Sequence, residues 1–167
     1  MAFAERFADE GWLRIDGLFD VALIDAVATE YRRQFDELTS SARHRGYIRV
    51  GDERMMLSIK LRGPLLDPGL YANPLLFALL EQFLGDDILI DSFTCVTAMP
   101  GAGEQRLHSD HSALFPRQPE IGPMLDPYAI TVAVPLIDTN FIDDCSETLT
   151  ALSPASSRTF PDSRCVS

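Results

Sequence analysis

The sequence predicts an α+β fold with a mainly β core, and three observations carry that expectation. Residues 87–99 and 128–138 are long apolar runs rich in Ile, Leu, Val, Phe and Thr, the side chains that suit strands. Residues 3–10, 20–38 and 74–84 read as helices, the second through apolar residues at helical spacing and the third through an apolar run behind Asn73-Pro74. Between these segments Gly63-Pro64 and Pro100-Gly-Ala-Gly break the chain into separate elements. With 167 residues, 46% of them hydrophobic, and a mean hydropathy of +0.02, the chain has enough material for one soluble, globular domain with a real core.

The elements follow in order. Phe3 to Glu10 reads as a short helix with Phe3, Ala4 and Phe7 turned inward and Gly11 closing it. Trp12 to Asp16 reads as a short strand stopped by Gly17. Asp20 is a good N-cap, since its carboxylate accepts the orphan amides of a first helical turn. Leu23, Val27, Tyr31, Phe35 and Leu38 then give one apolar stripe, so this helix is expected to pack on the outside of a sheet. Residues 39–54 are polar and aperiodic, a loop with one short strand and His44 on the surface, and residues 55–61 form a strand. Asn73-Pro74 joins a capping residue to a first-turn proline, and PLLFALLEQFL, apolar nearly all round, predicts a buried helix ended by Gly85. Residues 87–99 form the central strand, 112–127 a proline-rich loop, and 128–138 a further strand with Pro135 at an edge or bend. A domain over residues 1–144 is followed by a mostly irregular tail, 145–167, in which only Thr148 to Leu152 has strand character.

Charge excludes several partners. With 14 basic and 25 acidic residues the net charge is −11, which repels nucleic-acid phosphates and anionic membranes and leaves a small molecule as the expected partner. The first residues are charged from Glu5 onward and lack the apolar stretch of a secretory signal, and no run approaches a bilayer span. Cys95, Cys145 and Cys165 have no metal-type spacing and read as reduced thiols, which makes a cytoplasmic location the expectation.

The chemistry concentrates after residue 100. The loop beginning at Pro100 returns as Gln105-Arg-Leu-His108-Ser-Asp110. On an extended strand residues i and i+2 share a face about 6–7 Å apart, so His108 and Asp110 can converge on one point. One imidazole and one carboxylate make two thirds of the facial triad that holds non-haem Fe(II). His-x-Asp is common by chance, so its surroundings matter: a long strand before it, Gln105 three residues ahead, and Phe115 in the loop that follows.

That arrangement, QRLHSDHSALFP, resembles the phytanoyl-CoA dioxygenase family of Fe(II)/2-oxoglutarate oxygenases, as do the opening FADEGWLRIDGLFD and the NPLLFALLEQFLGDD ahead of the strand. The resemblance covers about residues 5–158 and weakens after residue 140. It implies a double-stranded β-helix (jelly-roll) fold with N-terminal flanking helices, and an enzyme that couples oxidation of 2-oxoglutarate to hydroxylation of an unactivated C–H bond. His108 and Asp110 would hold Fe(II). Lys60, the only lysine, stands near the place of a 2-oxoglutarate-binding lysine, Gln105 would hydrogen-bond the cosubstrate or substrate, and Thr94 would face the same cavity.

The pattern departs from the family at its end. The second histidine ligand is expected in a P-G-S-H-R-like segment, which here reads Pro154-Ala155-Ser156-Ser157-Arg158 and puts the weak ligand Ser157 in its place. His111, at odd spacing from His108, points to the opposite strand face, and neither Arg158 nor Arg164 sits where the arginine that pairs with 2-oxoglutarate is expected. Six further strands need roughly 60 well-patterned residues beyond the motif, so the expectation is an incomplete jelly roll that self-associates through unpaired strand edges. The alternative is a non-catalytic or truncated remnant. A cupin-like metal module without 2-oxoglutarate would want more than the three histidines present.

Overall fold

The structure, a computed structural model, describes residues 3–40, 47–103, 105, 108 and 110–138. The expected tail 145–167, with Ser157, Arg158, Arg164 and two of the cysteines, lies outside them, as does His44. The chain separates into two compact units, one of Gly17–Pro74 with Leu89–Gln105, the other of Met1–Asp16, Leu75–Ile88 and Arg106–Ser167.

The first unit is a helix on a sheet. Helix α2, Val21–Thr39, starts where Asp20 accepts hydrogen bonds from the amides of Ala22 (2.7 Å) and Leu23 (3.2 Å). Its buried line is Val27, Ala28, Tyr31 and Gln34, with Leu23, Phe35 and Leu38 only half-buried, so the inner face is rotated from the expected stripe and includes a glutamine. Three strands, β1 (Tyr47–Gly51), β2 (Arg54–Ser58) and β3 (Thr94–Ala98), form an antiparallel sheet in that order. Leu57 pairs with Cys95 and Met55 with Thr97, while Met56 pairs with Val96 and Ser58 with Thr94. Because side chains alternate, the first pairs share the face that meets α2, where the Tyr31 hydroxyl bonds Thr97 Oγ1. Burial pushes the Tyr31 phenol up to about 12. Leu57 and Leu65 are each 1% exposed, and Leu65 belongs to the 3-10 turn Gly63–Leu66 that packs against α2. A single-turn helix, α3 (Pro68–Tyr71), follows.

In the other unit helix α1, Phe3–Glu10, meets helix α4, Pro74–Leu84, through the rings of Phe7 and Phe83, 4.7 Å apart and tilted by 58°. Gly11 (φ 78°) and Gly85 (φ 79°) end these helices in the left-handed conformation that spares a glycine any Cβ clash. The all-round apolar sequence of α4 does not translate into all-round burial: Leu76 is buried but Leu75 is 51% exposed.

Several expected strands are shorter or differently built. Residues 87–99 are regular only over β3, although the Ile59 amide still bonds the Phe93 carbonyl (3.3 Å). Residues 12–16 join no ladder among the described residues; Arg14 there pairs with exposed Asp16 (2.8 Å). Residues 128–138 are extended in sequence character yet take no ladder among the described residues. An apolar run creates a face to bury, but a strand also needs a neighbour for its amides and carbonyls. Among the described residues no helix is long and apolar enough to cross a membrane.

Candidate active site

A strand is expected to carry His108 and Asp110, but these two described residues lie outside any helix or strand. Their side chains nevertheless converge: His108 Nε2 is 3.2 Å from Asp110 Oδ1, with the imidazole 52% and the carboxylate 31% exposed. Two donors on adjacent positions of an octahedral ion with bonds of about 2.1 Å stand about 3 Å apart. The separation and the donor types therefore fit two neighbouring positions of one metal ion. Among the described residues no group of three His, Cys, Asp or Glu side chains gathers to complete a set. His111, half-buried, lies with Nε2 3.4 Å from Thr131 Oγ1.

Lys60, Thr94 and Gln105 belong to the sheet unit, and His108 and Asp110 to the other. Within the sheet unit Thr94 is the exposed partner of Ser58, on the face turned away from α2. Lys60, two residues beyond Ser58 along the same extended run, falls on that face by alternation and is exposed. Gln105 is half-buried.

The loop that leads from β3 into the motif is held at its base. The Met99 amide donates to the Glu53 carbonyl (2.8 Å), Ala102 to Met99 (2.9 Å), and Arg54 Nη2 to the Gly103 carbonyl (3.1 Å). Arg54 is 4% exposed. A buried guanidinium is kept only where its donors find acceptors, and here one acceptor is the loop backbone two residues before Gln105.

Sequence reasoning missed two residues that matter to this region, Arg54 and Gln34. Gln34 stands seven residues after Val27 and three after Tyr31, so helical spacing places it on the inner face. Polarity hid it. Beside Gln34 on α2, Glu30 accepts hydrogen bonds from Arg33 Nη2 (2.7 Å), Arg62 Nε (2.7 Å) and Gln34 Nε2 (2.8 Å), and Glu37 accepts from Arg33 and from Arg62 Nη2 (3.0 Å). Those donors, Arg33 first, hold the Glu30 carboxyl down to about 2, and Arg62 lowers that of Glu37.

The chain is 38% identical over 60 residues to a protein named Dioxygenase af480 from Aspergillus fumigatus. The shared stretch is 36% of this chain and 18% of that protein's length. No family model matches, and no solved structure matches.

Proposed function

We propose that this chain is a cytoplasmic Fe(II)/2-oxoglutarate-dependent dioxygenase of the phytanoyl-CoA dioxygenase type, built on a double-stranded β-helix and hydroxylating a small organic substrate. The observation that carries the reading is the 3.2 Å approach of His108 Nε2 to Asp110 Oδ1, which brings one imidazole and one carboxylate together. The likeness to a fungal dioxygenase supports it. Iron and 2-oxoglutarate, when bound, supply the oxidising power for C–H hydroxylation. His108 offers a neutral nitrogen lone pair, and Asp110 brings a negative charge that offsets part of the cation's. The Lys60 ammonium meets a carboxylate of the cosubstrate. Thr94 and Gln105 contribute hydrogen bonds to the same ligand or to the substrate.

A second reading, a non-catalytic relative that keeps part of the site, is favoured by Ser157 in the position where the resemblance expects a second histidine. Anaerobic calorimetric titration with Fe(II) tests the first part of the proposal. The unsubstituted protein should bind, and His108→Ala or Asp110→Ala should weaken binding by at least about tenfold, the scale of losing even a supporting group around a metal. Equal binding by the protein and the double variant would discard the site. Succinate release from 2-oxoglutarate separates the two readings: turnover supports the enzyme, and iron binding without turnover supports the non-catalytic relative.

A further inference from the structure

Gln34 is 3% exposed on the inner face of α2, which it shares with Val27, Ala28 and Tyr31. Its carboxamide holds the backbone of one residue through both its amide and its carbonyl. The Lys60 amide donates to Gln34 Oε1 (2.8 Å), and Gln34 Nε2 donates to the Lys60 carbonyl (2.9 Å). The same Nε2 donates its other hydrogen to Glu30 Oε1 (2.8 Å). A carboxamide has one acceptor oxygen and two N–H donors, and all are used. Glu30 also fixes which way the amide faces, because a flipped amide would set its oxygen against a carboxylate and its nitrogen against the Lys60 N–H. Arg33 and Arg62 in turn hold Glu30 in place.

This grip falls where the β2–β3 ladder has just ended. The last regular pair is Ser58 with Thr94, and the Ile59 amide makes the final bond, to Phe93. The Lys60 amide and carbonyl, one residue on, point to the opposite edge of the strand by alternation, and there the side chain of Gln34 meets both. We infer that Gln34 is a positioning residue for Lys60, and that Glu30 orients Gln34 for that role. The inference rests on the reading above, in which the Lys60 ammonium binds a carboxylate of 2-oxoglutarate. Lysine ends in a compact charge on a flexible four-carbon stem, so where the charge can go depends on how firmly its backbone is held. The network fixes that backbone, and the only lysine of the chain is the one so held.

The single lysine also makes the test clean, since isotope-labelled lysine gives one side-chain resonance to follow while the full chain, with Fe(II) under anaerobic conditions, is titrated with 2-oxoglutarate. That resonance should move in the unsubstituted protein. Gln34→Met should leave the helical circular dichroism in place and raise the dissociation constant about tenfold, the order expected when one or two hydrogen bonds of positioning are lost. Lys60→Ala should weaken binding too, and Gln34→Met added to it should cost nothing more, because the effect of Gln34 passes through Lys60. If the two losses add independently, or if Gln34→Met changes nothing, Gln34 is structural and the inference falls while the assignment of Lys60 stands. A lysine resonance indifferent to 2-oxoglutarate in the unsubstituted protein would remove the assignment of Lys60 and the inference together. Should Gln34→Met fail to fold, Glu30→Ala leaves both Lys60 bonds in place but frees the amide to turn, and the same double-variant cycle decides with it.

Discussion

The sheet unit and the segment that follows it, residues 110–138, are built from equally apolar sequence but hold it differently. In the sheet unit Val27, Ala28, Tyr31, Leu57, Leu65 and Leu70 are buried, and even its buried polar groups, Gln34 and Arg54, are satisfied by backbone or side-chain partners. In residues 110–138 no described residue is buried, and Val132 and Ile137 are 42% and 70% exposed. What separates them is the presence of an opposing element. The helix α2 brings a face to the sheet, and the sheet supplies its own ladder, whereas the run 128–138 has neither among the described residues. The comparison teaches that apolar composition sets how much there is to bury, while topology decides whether it is buried.

The largest effect that would sharpen this contrast lies at Leu57, 1% exposed between α2 and the sheet. Leu57→Ala removes packed methyl groups where neighbours from helix and strand leave little room to collapse, and should cost about 2–5 kcal/mol. Leu65→Ala, under the 3-10 turn, should behave alike. Urea unfolding measures both. A cost below about 1 kcal/mol at both sites would mean that the sheet unit is no better packed than the rest, within the ordinary range for exposed positions.

How much of this was legible follows from where each element finds its hydrogen bonds. Helices satisfy themselves over four residues, and Asp20, Gly11 and Gly85 mark their ends in the sequence as they do in the structure. Strands depend on remote partners, so the run 87–99 shrank to Thr94–Ala98, and residues 54–58 formed a strand only where Thr94–Ala98 lay opposite. At the candidate site the i, i+2 spacing led to the expectation that a strand would bring His108 and Asp110 together; the two side chains lie 3.2 Å apart, and both residues are described outside any helix or strand. Two short side chains one residue apart can converge from several backbone shapes. Gln34 was overlooked for the opposite reason: its spacing put it inside, and its polarity argued it out. The partner that reconciles the two, the backbone of Lys60, is 26 residues away and invisible to any local pattern.

An intermediate effect is expected from acid. A glutamate in the unfolded chain titrates near 4.5, and Glu30 in the folded protein near 2, because Arg33, Arg62 and Gln34 hydrogen-bond its charged form. Between those values the unfolded chain binds more protons, so the stability that Glu30 contributes is full above pH 4.5 and drains away as the pH falls toward 2. Glu30→Gln should therefore be less stable than the unsubstituted protein at neutral pH, and the gap should close through that window in a series of urea melts. A gap that stays constant from pH 6 to about pH 2 would show that the carboxylate charge does not matter and that Glu30 acts through geometry alone.

The smallest effect belongs to the other side of the comparison, and it is the one that can break it. Ile137, 70% exposed in a run that joins no ladder among the described residues, should tolerate Ile137→Ala with a change within about 0.5 kcal/mol, as surface positions do. An apolar strand-type run with open backbone groups is, however, a template for pairing with another chain. If residues 128–138 are covered in solution by a second copy, the substitution would cost several times more, and the cost would rise with protein concentration, because association stabilises by mass action. Thermal melts at several concentrations, run beside light scattering on the same samples, distinguish the outcomes. A small, concentration-independent change keeps the contrast between a packed sheet unit and an exposed run. A large, concentration-dependent one transfers the missing partner of that run to a neighbouring molecule and makes its exposure in the single chain the signature of an interface.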